Sequence, residues 1–137
     1  MGETHLELLA EMLELLRRYA TTVSREELGR DRETWLKVRG ALEIAAQCCI
    51  DLALQEVSRR GLGVPQTYRE AFRALVTGGL IDADLAEELE GWAGLRNVLV
   101  HVYTNLDLDR IHAALSESQS LERFRAAMAR ACAADPG

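Results

Sequence analysis

The chain is poor in cysteine and proline and lacks any long apolar run. Its cysteines, Cys48, Cys49 and Cys132, are odd in number and two are adjacent, so they fit neither a disulfide framework nor a zinc-site spacing. The two prolines, Pro65 and Pro136, leave long stretches in which helices can run uninterrupted. No apolar run approaches the roughly 20 residues needed to cross a bilayer, and the N-terminus shows no signal-peptide pattern. We therefore expect a soluble cytoplasmic protein with buried, reduced thiols and no membrane contact.

Positive charge is also scarce. The chain has 16 Lys and Arg against 22 Asp and Glu, a net charge of −6, which argues against a protein that coats nucleic acid through a general basic surface. An RNA-cutting enzyme needs only a local positive field in its cleft, and the pairs Arg17-Arg18 and Arg59-Arg60 are candidates for one. The alternative is that these arginines lie on ordinary helix surface and pair with nearby glutamates.

What the chain has in abundance is hydrophobic residues at helical spacing. They make up 48% of the 137 residues, enough for a single folded domain over 1–137. Apolar positions recur every three or four residues in five segments, and no segment alternates as a strand does. The five predicted helices span about 4–23, 31–60, 67–77, 82–105 and 107–133. The pattern predicts an all-α fold, an antiparallel four-helix bundle with an additional short helix.

Capping signals and breaks mark the ends of these helices. Thr4 and Ser24 are each followed three residues later by a glutamate, which is a capping-box pattern. Thr4 is therefore predicted to cap the first helix, and Ser24 to restart a short helix or turn that Gly29 interrupts. Gly61 should end the second main helix, and we expect a break in the last segment around 116–120.

The chemistry-bearing residues gather in the second half of the fourth main helix. Arg96, Asn97, His101 and Tyr103 occur there within eight positions, among aliphatic residues. Arginine offers a planar fork suited to phosphate, and histidine can move protons near neutral pH. Together they could cut RNA, because a base can take the ribose 2′-hydroxyl proton while a cation stabilises the charge that builds on the phosphorane oxygens. Taken alone the pattern is weak, since a histidine on a mixed helix face is more often a packed or surface residue.

Helix geometry limits how this motif can work. At ~100° per residue, Tyr103 falls on nearly the same side as Arg96, whereas His101 lies ~140° round from Arg96. Three arrangements would bring the arginine and histidine together. These are an Arg96 side chain that reaches around the helix, a distorted helix, or two copies of the helix that meet across a two-fold axis.

The residues from Gly94 to Tyr103 resemble the Arg-x4-His-x-Tyr signature of HepT-like proteins, a branch of the HEPN superfamily. The likeness extends to the flanking segments 65–81 and 105–111. It implies an all-α bundle that forms a homodimer, with two motifs facing a shared cleft. It also implies a toxin ribonuclease of a type VII-like HEPN/MNT toxin–antitoxin pair, acting without a required metal or other cofactor. The partner would be an MNT-type nucleotidyltransferase antitoxin, which neutralises the toxin by attaching AMP to the motif tyrosine.

Carried onto this chain, the resemblance implies a role for each motif residue. Arg96 would bind the scissile phosphate, His101 would act as acid and base, and Asn97 would be a polar helper. Tyr103 would accept AMP, a bulky anion that would obstruct RNA by volume and by like charge. The homodimer would also resolve the geometric difficulty of the motif.

Two other hypotheses remain beside the RNA endonuclease. One is a non-catalytic helical binding subunit that partners a nucleotidyltransferase. The other is a plain structural bundle in which the motif is surface. The intact combination of Arg96, His101 and Tyr103 favours the endonuclease, because a docking module does not need all three.

Overall fold

The computed structural model describes the backbone of residues 2–101 and 108–133, and the side chains of residues 4–99 and 108–133. Within these ranges the chain forms helices and no strands, which confirms the predicted all-α fold. The helices are α1 Gly2–Thr22, α2 Arg25–Arg30, α3 Arg32–Arg59, α4 Tyr68–Thr77, α5 Ala83–His101, α6 Leu108–Ala114 and α7 Gln119–Ala133. The four long ones, α1, α3, α5 and α7, correspond to the predicted main helices. None of the helices described is long and apolar enough to span a membrane.

Helix α3 lies at the centre of the bundle and contacts α1, α2, α4, α5 and α7. Its predicted core stripe is buried along its whole length: Trp35, Val38, Leu42, Ala45, Cys49 and Leu52. Small buried residues such as Ala41, Ala46 and Ala53 let neighbouring helices approach closely. The core continues into α4 and α7, where the buried rings of Phe72 and Phe124 meet edge to face with centroids 6.0 Å apart.

Most of the predicted helix ends are confirmed. Ser24 caps α2 by accepting the Glu27 amide at 3.0 Å. The second main helix ends before Gly61, whose φ of +64° is a left-handed conformation that glycine adopts without strain. The last segment breaks between Ala114 and Gln119. The expected end of the fourth helix near 104–105 and the start of the next at residue 107 lie outside the described residues.

Two local predictions are wrong. Helix α1 begins at Gly2, so Thr4 lies inside its first turn and is not the residue that caps it. Gly29 lies within α2, which ends one residue later where the Asp31 amide bonds the Glu27 carbonyl. Glycine is tolerated there because α6 packs close by: a Cβ on Gly29 would come within 2.9 Å of Leu108 Cδ1. A single glycine lowers helix propensity by only about 1 kcal/mol, and packing of this kind can outweigh it.

The far end of α3 is tied to the end of α7 through a buried carboxylate. Glu56 is 3% exposed and accepts hydrogen bonds from Arg59 Nε at 3.1 Å and from Arg60 Nε at 2.8 Å. Arg60 Nη2 also donates to the Ala131 carbonyl in α7, at 3.0 Å. Burial opposes ionisation of Glu56, but the hydrogen bonds from the two arginines outweigh it, so the pKa of this carboxyl lies below its ordinary value.

The ion pairs of Glu56 with Arg59 and Arg60 should make the free energy of unfolding depend on pH in the acid range. Glu56→Gln is expected to lower the free energy of unfolding at pH 7 by about 2 kcal/mol, because it removes a charge-assisted pair of hydrogen bonds. Since the pKa of Glu56 is depressed on folding, its contribution is complete above the unfolded-state pKa of 4.5 and is lost as the pH falls through the lower, folded-state pKa. Urea unfolding at a series of pH values should therefore show the two proteins converging below pH 4.5. Glu14→Gln, which removes an exposed partner of Arg17, is the matched control and should change stability by less than about 1 kcal/mol. An equal loss in both variants would contradict this interpretation.

All three cysteines are reduced thiols, as expected, but burial was predicted for all three and is wrong for Cys132. Cys48 and Cys49 are buried in α3, whereas Cys132 near the end of α7 is partly exposed. Burial, and to a lesser extent the nearby Asp51 carboxylate, raises the pKa of the Cys48 thiol to about 11. Burial raises the pKa of Cys49 as well. Neither thiol is therefore activated for chemistry.

Thiol labelling checks this assignment. At pH 8 a thiol whose pKa is about 11 is ionised to only about one part in a thousand, and burial also blocks the reagent. In the native protein an aromatic disulfide reagent should react with Cys132 alone, and with all three cysteines after unfolding in guanidinium. The Cys132→Ser variant should then show almost no native reactivity. Rapid native labelling of Cys48 would show that the α3 core is more open than described.

Candidate active site

The buried face of helix α5 becomes narrower along the length of the helix. Its first four turns bury Leu85, Leu89, Trp92 and Leu95 in the core. Beyond Leu95 only Leu99 still faces inward among the residues whose side chains are described. Arg96 and Asn97 thus occupy the part of the helix where the buried face narrows.

The Arg96 side chain lies toward Asn97. Its Nη1 donates a hydrogen bond to Asn97 Oδ1 at 3.1 Å. On an ideal helix Asn97 and His101 are four residues apart and therefore share a face. The bond thus holds the guanidinium on the Asn97 side of α5, the side that an ideal helix also gives to position 101. The choice among the three arrangements expected from the sequence depends on the His101 side chain and stays a prediction.

One hydrogen-bond donor of Arg96 is unused. Its Nε is buried and has no partner among the groups that the structure describes. A buried donor left unpaired costs roughly 1–3 kcal/mol, and more when the group is charged. A phosphate oxygen is the acceptor for which the guanidinium group as a whole is best suited.

The other two motif residues are only partly covered. His101 is the last helical residue of α5, and its side chain lies outside the described part of the chain. Tyr103 falls in the segment 102–107, which the structure does not describe. The predicted approach of His101 to Arg96 and the role of Tyr103 therefore stay predictions.

A second arginine, which sequence reasoning missed, contacts the same turn of α5. Arg39 of α3 donates from Nε to the Leu99 carbonyl at 3.1 Å, and its Nη2 lies 3.8 Å from Glu43 Oε2. The sequence gives no sign of this contact, because the two residues are 60 positions apart and Arg39 reads as an ordinary polar residue beside the core stripe. The structure thus places two guanidinium groups on α5 between residues 96 and 99.

Three of the four arginines in the pairs singled out from the sequence are paired with glutamates. Arg59 and Arg60 are held by Glu56, and they lie 20 and 21 residues beyond Arg39 on α3, about 30 Å along the helix axis at 1.5 Å per residue. Arg17 pairs with Glu14 and Glu122. For these three arginines the alternative of ordinary pairing with glutamates is correct.

A groove of about 360 Å³ runs beside α5 one turn before the motif. Trp92 and Leu95 line it from α5, and Arg110 and Ala114 line it from α6. The Trp92 indole N–H is satisfied by Ser120 Oγ at 3.0 Å. Across the side chains that can be described, no group of three or more His, Cys, Asp or Glu is arranged to hold a metal ion.

Comparison with protein families and curated proteins gives consistent matches. The family model for HepT-like ribonucleases matches residues 9–129. The mRNA nuclease HepT of Shewanella oneidensis is 34% identical over 84 residues, which is 61% of this chain and 63% of that protein. The match thus spans a little less than two thirds of that relative. The tRNA nuclease HepT of Aphanizomenon flos-aquae is 30% identical over 114 residues, 83% of this chain and 77% of the relative.

Solved structures give the same fold. The AMPylated Shewanella oneidensis HEPN toxin, determined in complex with an MNT antitoxin, superimposes with a TM-score of 0.84. The alignment covers 94% of this chain and 96% of the toxin at 23% identity, a level that supports a shared fold. With the family match over 121 of 137 residues (9–129), the chain belongs to the HepT-like ribonuclease family and has the HEPN fold.

Proposed function

We propose that the protein is a metal-independent RNA endonuclease and acts as the toxin of a type VII-like HEPN/MNT toxin–antitoxin pair. The observation that carries the proposal is the hydrogen bond from Arg96 to Asn97, which holds the guanidinium on the side of α5 that an ideal helix also gives to position 101. Membership of the HepT-like ribonuclease family supports the same chemistry. The two curated relatives carry the names of nucleases for messenger and transfer RNA.

The proposed reaction is an internal transfer at phosphorus. His101 takes the proton from a ribose 2′-hydroxyl, and the 2′-oxygen forms a bond to the adjacent phosphorus. The bond from phosphorus to the 5′-oxygen of the next nucleotide breaks, and that oxygen leaves with the proton that the protonated His101 gives up. Arg96 stabilises the negative charge that builds on the phosphorane oxygens. DNA lacks the 2′-hydroxyl and should not be cut.

The proposed active form is a homodimer with the two motifs at one cleft. Val98 follows Asn97 directly and is 44% exposed, and Leu36 on α3 is 52% exposed. Leu36 lies one turn before Arg39, which binds the carbonyl of Leu99. Exposed apolar residues therefore flank the motif end of α5 on two helices, as expected of a surface that a second copy covers.

The proposed partner is an MNT-type nucleotidyltransferase antitoxin that attaches AMP to Tyr103. The Arg-x4-His-x-Tyr register puts this tyrosine two residues after His101. An AMP phosphate there would compete with RNA phosphate for Arg96 and would fill the approach to His101. A solved relative with the same fold carries AMP and is bound to an MNT antitoxin.

The acidic charge of the chain favours one alternative. Several arginines are neutralised by carboxylates: Arg17, Arg25, Arg59, Arg60 and Arg73. A net charge of −6 with so many paired cations suits a non-catalytic binding subunit of a nucleotidyltransferase better than a general RNA binder. Activity measurements on motif variants separate the two functions.

Cleavage of a labelled single-stranded RNA by the purified protein is the primary test. His101→Ala should lower the rate constant by about 10²–10⁴-fold, the range expected for loss of a general base. Arg69→Ala, which removes an exposed arginine on α4, should leave the rate unchanged. Circular dichroism and gel filtration should show all three proteins equally folded and of equal size. Equal activity of wild type and His101→Ala would reject the proposed catalyst. If the wild type bound the nucleotidyltransferase but cut no RNA, the binding subunit would be the better description.

Mass spectrometry after co-expression with a genomically adjacent nucleotidyltransferase tests the proposed control. A peptide containing Tyr103 should gain mass in whole AMP units, and the modified protein should no longer cut RNA. Tyr103→Phe should stay unmodified and active, whereas Tyr68→Phe, a change on the partly buried α4 tyrosine, should still be modified and silenced. An unmodified Tyr103 in a fully inhibited complex would instead indicate simple occlusion by the partner.

A further inference from the structure

Arg39 joins two helices that are distant in sequence at the turn carrying the motif. Its Nε–H points at the Leu99 carbonyl from α3, and its side chain is 29% exposed. Leu99 itself is buried and lies two residues before His101, the last described residue of α5. The contact thus links the central helix of the bundle to the backbone immediately before the proposed base.

The Leu99 carbonyl accepts a hydrogen bond from a charged donor on another helix. A hydrogen bond from a charged donor typically contributes more than a neutral one. Because the donor comes from α3 and not from α5, the bond fixes this turn of α5 relative to the core.

Glu43 holds Arg39 from the other side. The carboxylate lies one turn later on α3, with Oε2 3.8 Å from Arg39 Nη2, and it is itself partly buried. With its Nε directed at Leu99 and its Nη2 near Glu43, the Arg39 guanidinium has a restricted orientation. Such restriction matters, since catalytic groups must be held to within a fraction of an ångström.

A similar contact lies at the other end of α3, where no motif residue that the structure describes is nearby. There Arg60 donates to the Ala131 carbonyl near the end of α7. Both bonds fasten the end of a neighbouring helix to α3. Only the one from Arg39 lies next to motif residues, so the two arginines form a matched pair for experiment.

We propose that Arg39 is a positioning residue of the candidate active site: by holding the Leu99 carbonyl it sets the place of His101 and raises turnover, without itself contacting RNA. The proposal rests on the proposed function, because it assigns Arg39 a part in the same reaction. It differs from the proposal for Arg96, which acts on the phosphate directly.

Steady-state cleavage of labelled RNA by the Arg39→Met protein is the first measurement. We expect kcat to fall about tenfold or more, as misplacement of a catalytic group commonly does, with KM changed less than about twofold. Arg39→Lys keeps the charge and one donor and should recover part of kcat. Arg60→Met breaks the corresponding bond to α7 and should lower the melting temperature without lowering kcat.

A raised KM with unchanged kcat in Arg39→Met would make Arg39 a phosphate ligand and overturn the positioning role. Unchanged kcat and KM would overturn it as well.

NMR of isotope-labelled histidine supplies a readout that does not depend on cleavage. The chain has three histidines, and two of them serve as internal references: His5 beside Asp51 and Gln55, and His112 against the Val23 carbonyl. In Arg39→Met the His101 resonance should shift while those of His5 and His112 stay in place, and Arg60→Met should leave His101 unaffected. An unmoved His101 would overturn the proposal whether or not the wild type cuts RNA. If His101 shifts but the wild type is inactive, the failure lies with the proposed ribonuclease.

Discussion

Burial of one face of α3 is the interaction on which the other parts of the structure depend. The helix buries apolar side chains from Trp35 to Val57, and five other helices pack against it. Each fully buried large side chain of this kind contributes roughly 1.5–3 kcal/mol, more than any surface ion pair in the described structure is expected to provide. The central helix thus sets the positions of α5 and α7, and its arginines then fasten the ends of these two helices through backbone carbonyls.

The candidate site depends on the same central helix. Leu95 and Leu99 anchor the last described turns of α5 in the core, and between them Arg96 is partly buried and Asn97 is exposed. A chain with a net charge of −6 can still present positive charge locally, because Arg96 has no carboxylate partner among the described residues while Arg17, Arg59 and Arg60 are paired with glutamates. The overall charge therefore says little about what this turn can bind.

The sequence predicted what depends on local patterns. The long helices and the α3 core stripe follow from apolar periodicity, and the Ser24 cap follows from its spacing to Glu27. Thr4 failed as a cap because α1 begins earlier, and Gly29 failed as a break because tertiary packing holds it in helix. Helix arithmetic placed Arg96 away from His101, but it could not show that Asn97 draws the guanidinium toward that face. Arg39 was beyond prediction, since its contact with Leu99 joins segments 60 residues apart and depends on how the helices pack.

The chemical ends of the cut RNA test the central claim most directly. Attack by the 2′-hydroxyl requires that one product carry a 2′,3′-cyclic phosphate and the other a free 5′-hydroxyl, and that a single 2′-deoxyribose at the cut position block the reaction. Mass spectrometry of the products from the purified protein reads these ends. Cyclic phosphate and 5′-hydroxyl ends, with no cut at the deoxyribose, are the predicted result. Products with 3′-hydroxyl and 5′-phosphate ends, or cleavage at the deoxyribose, would contradict a site in which His101 activates the ribose.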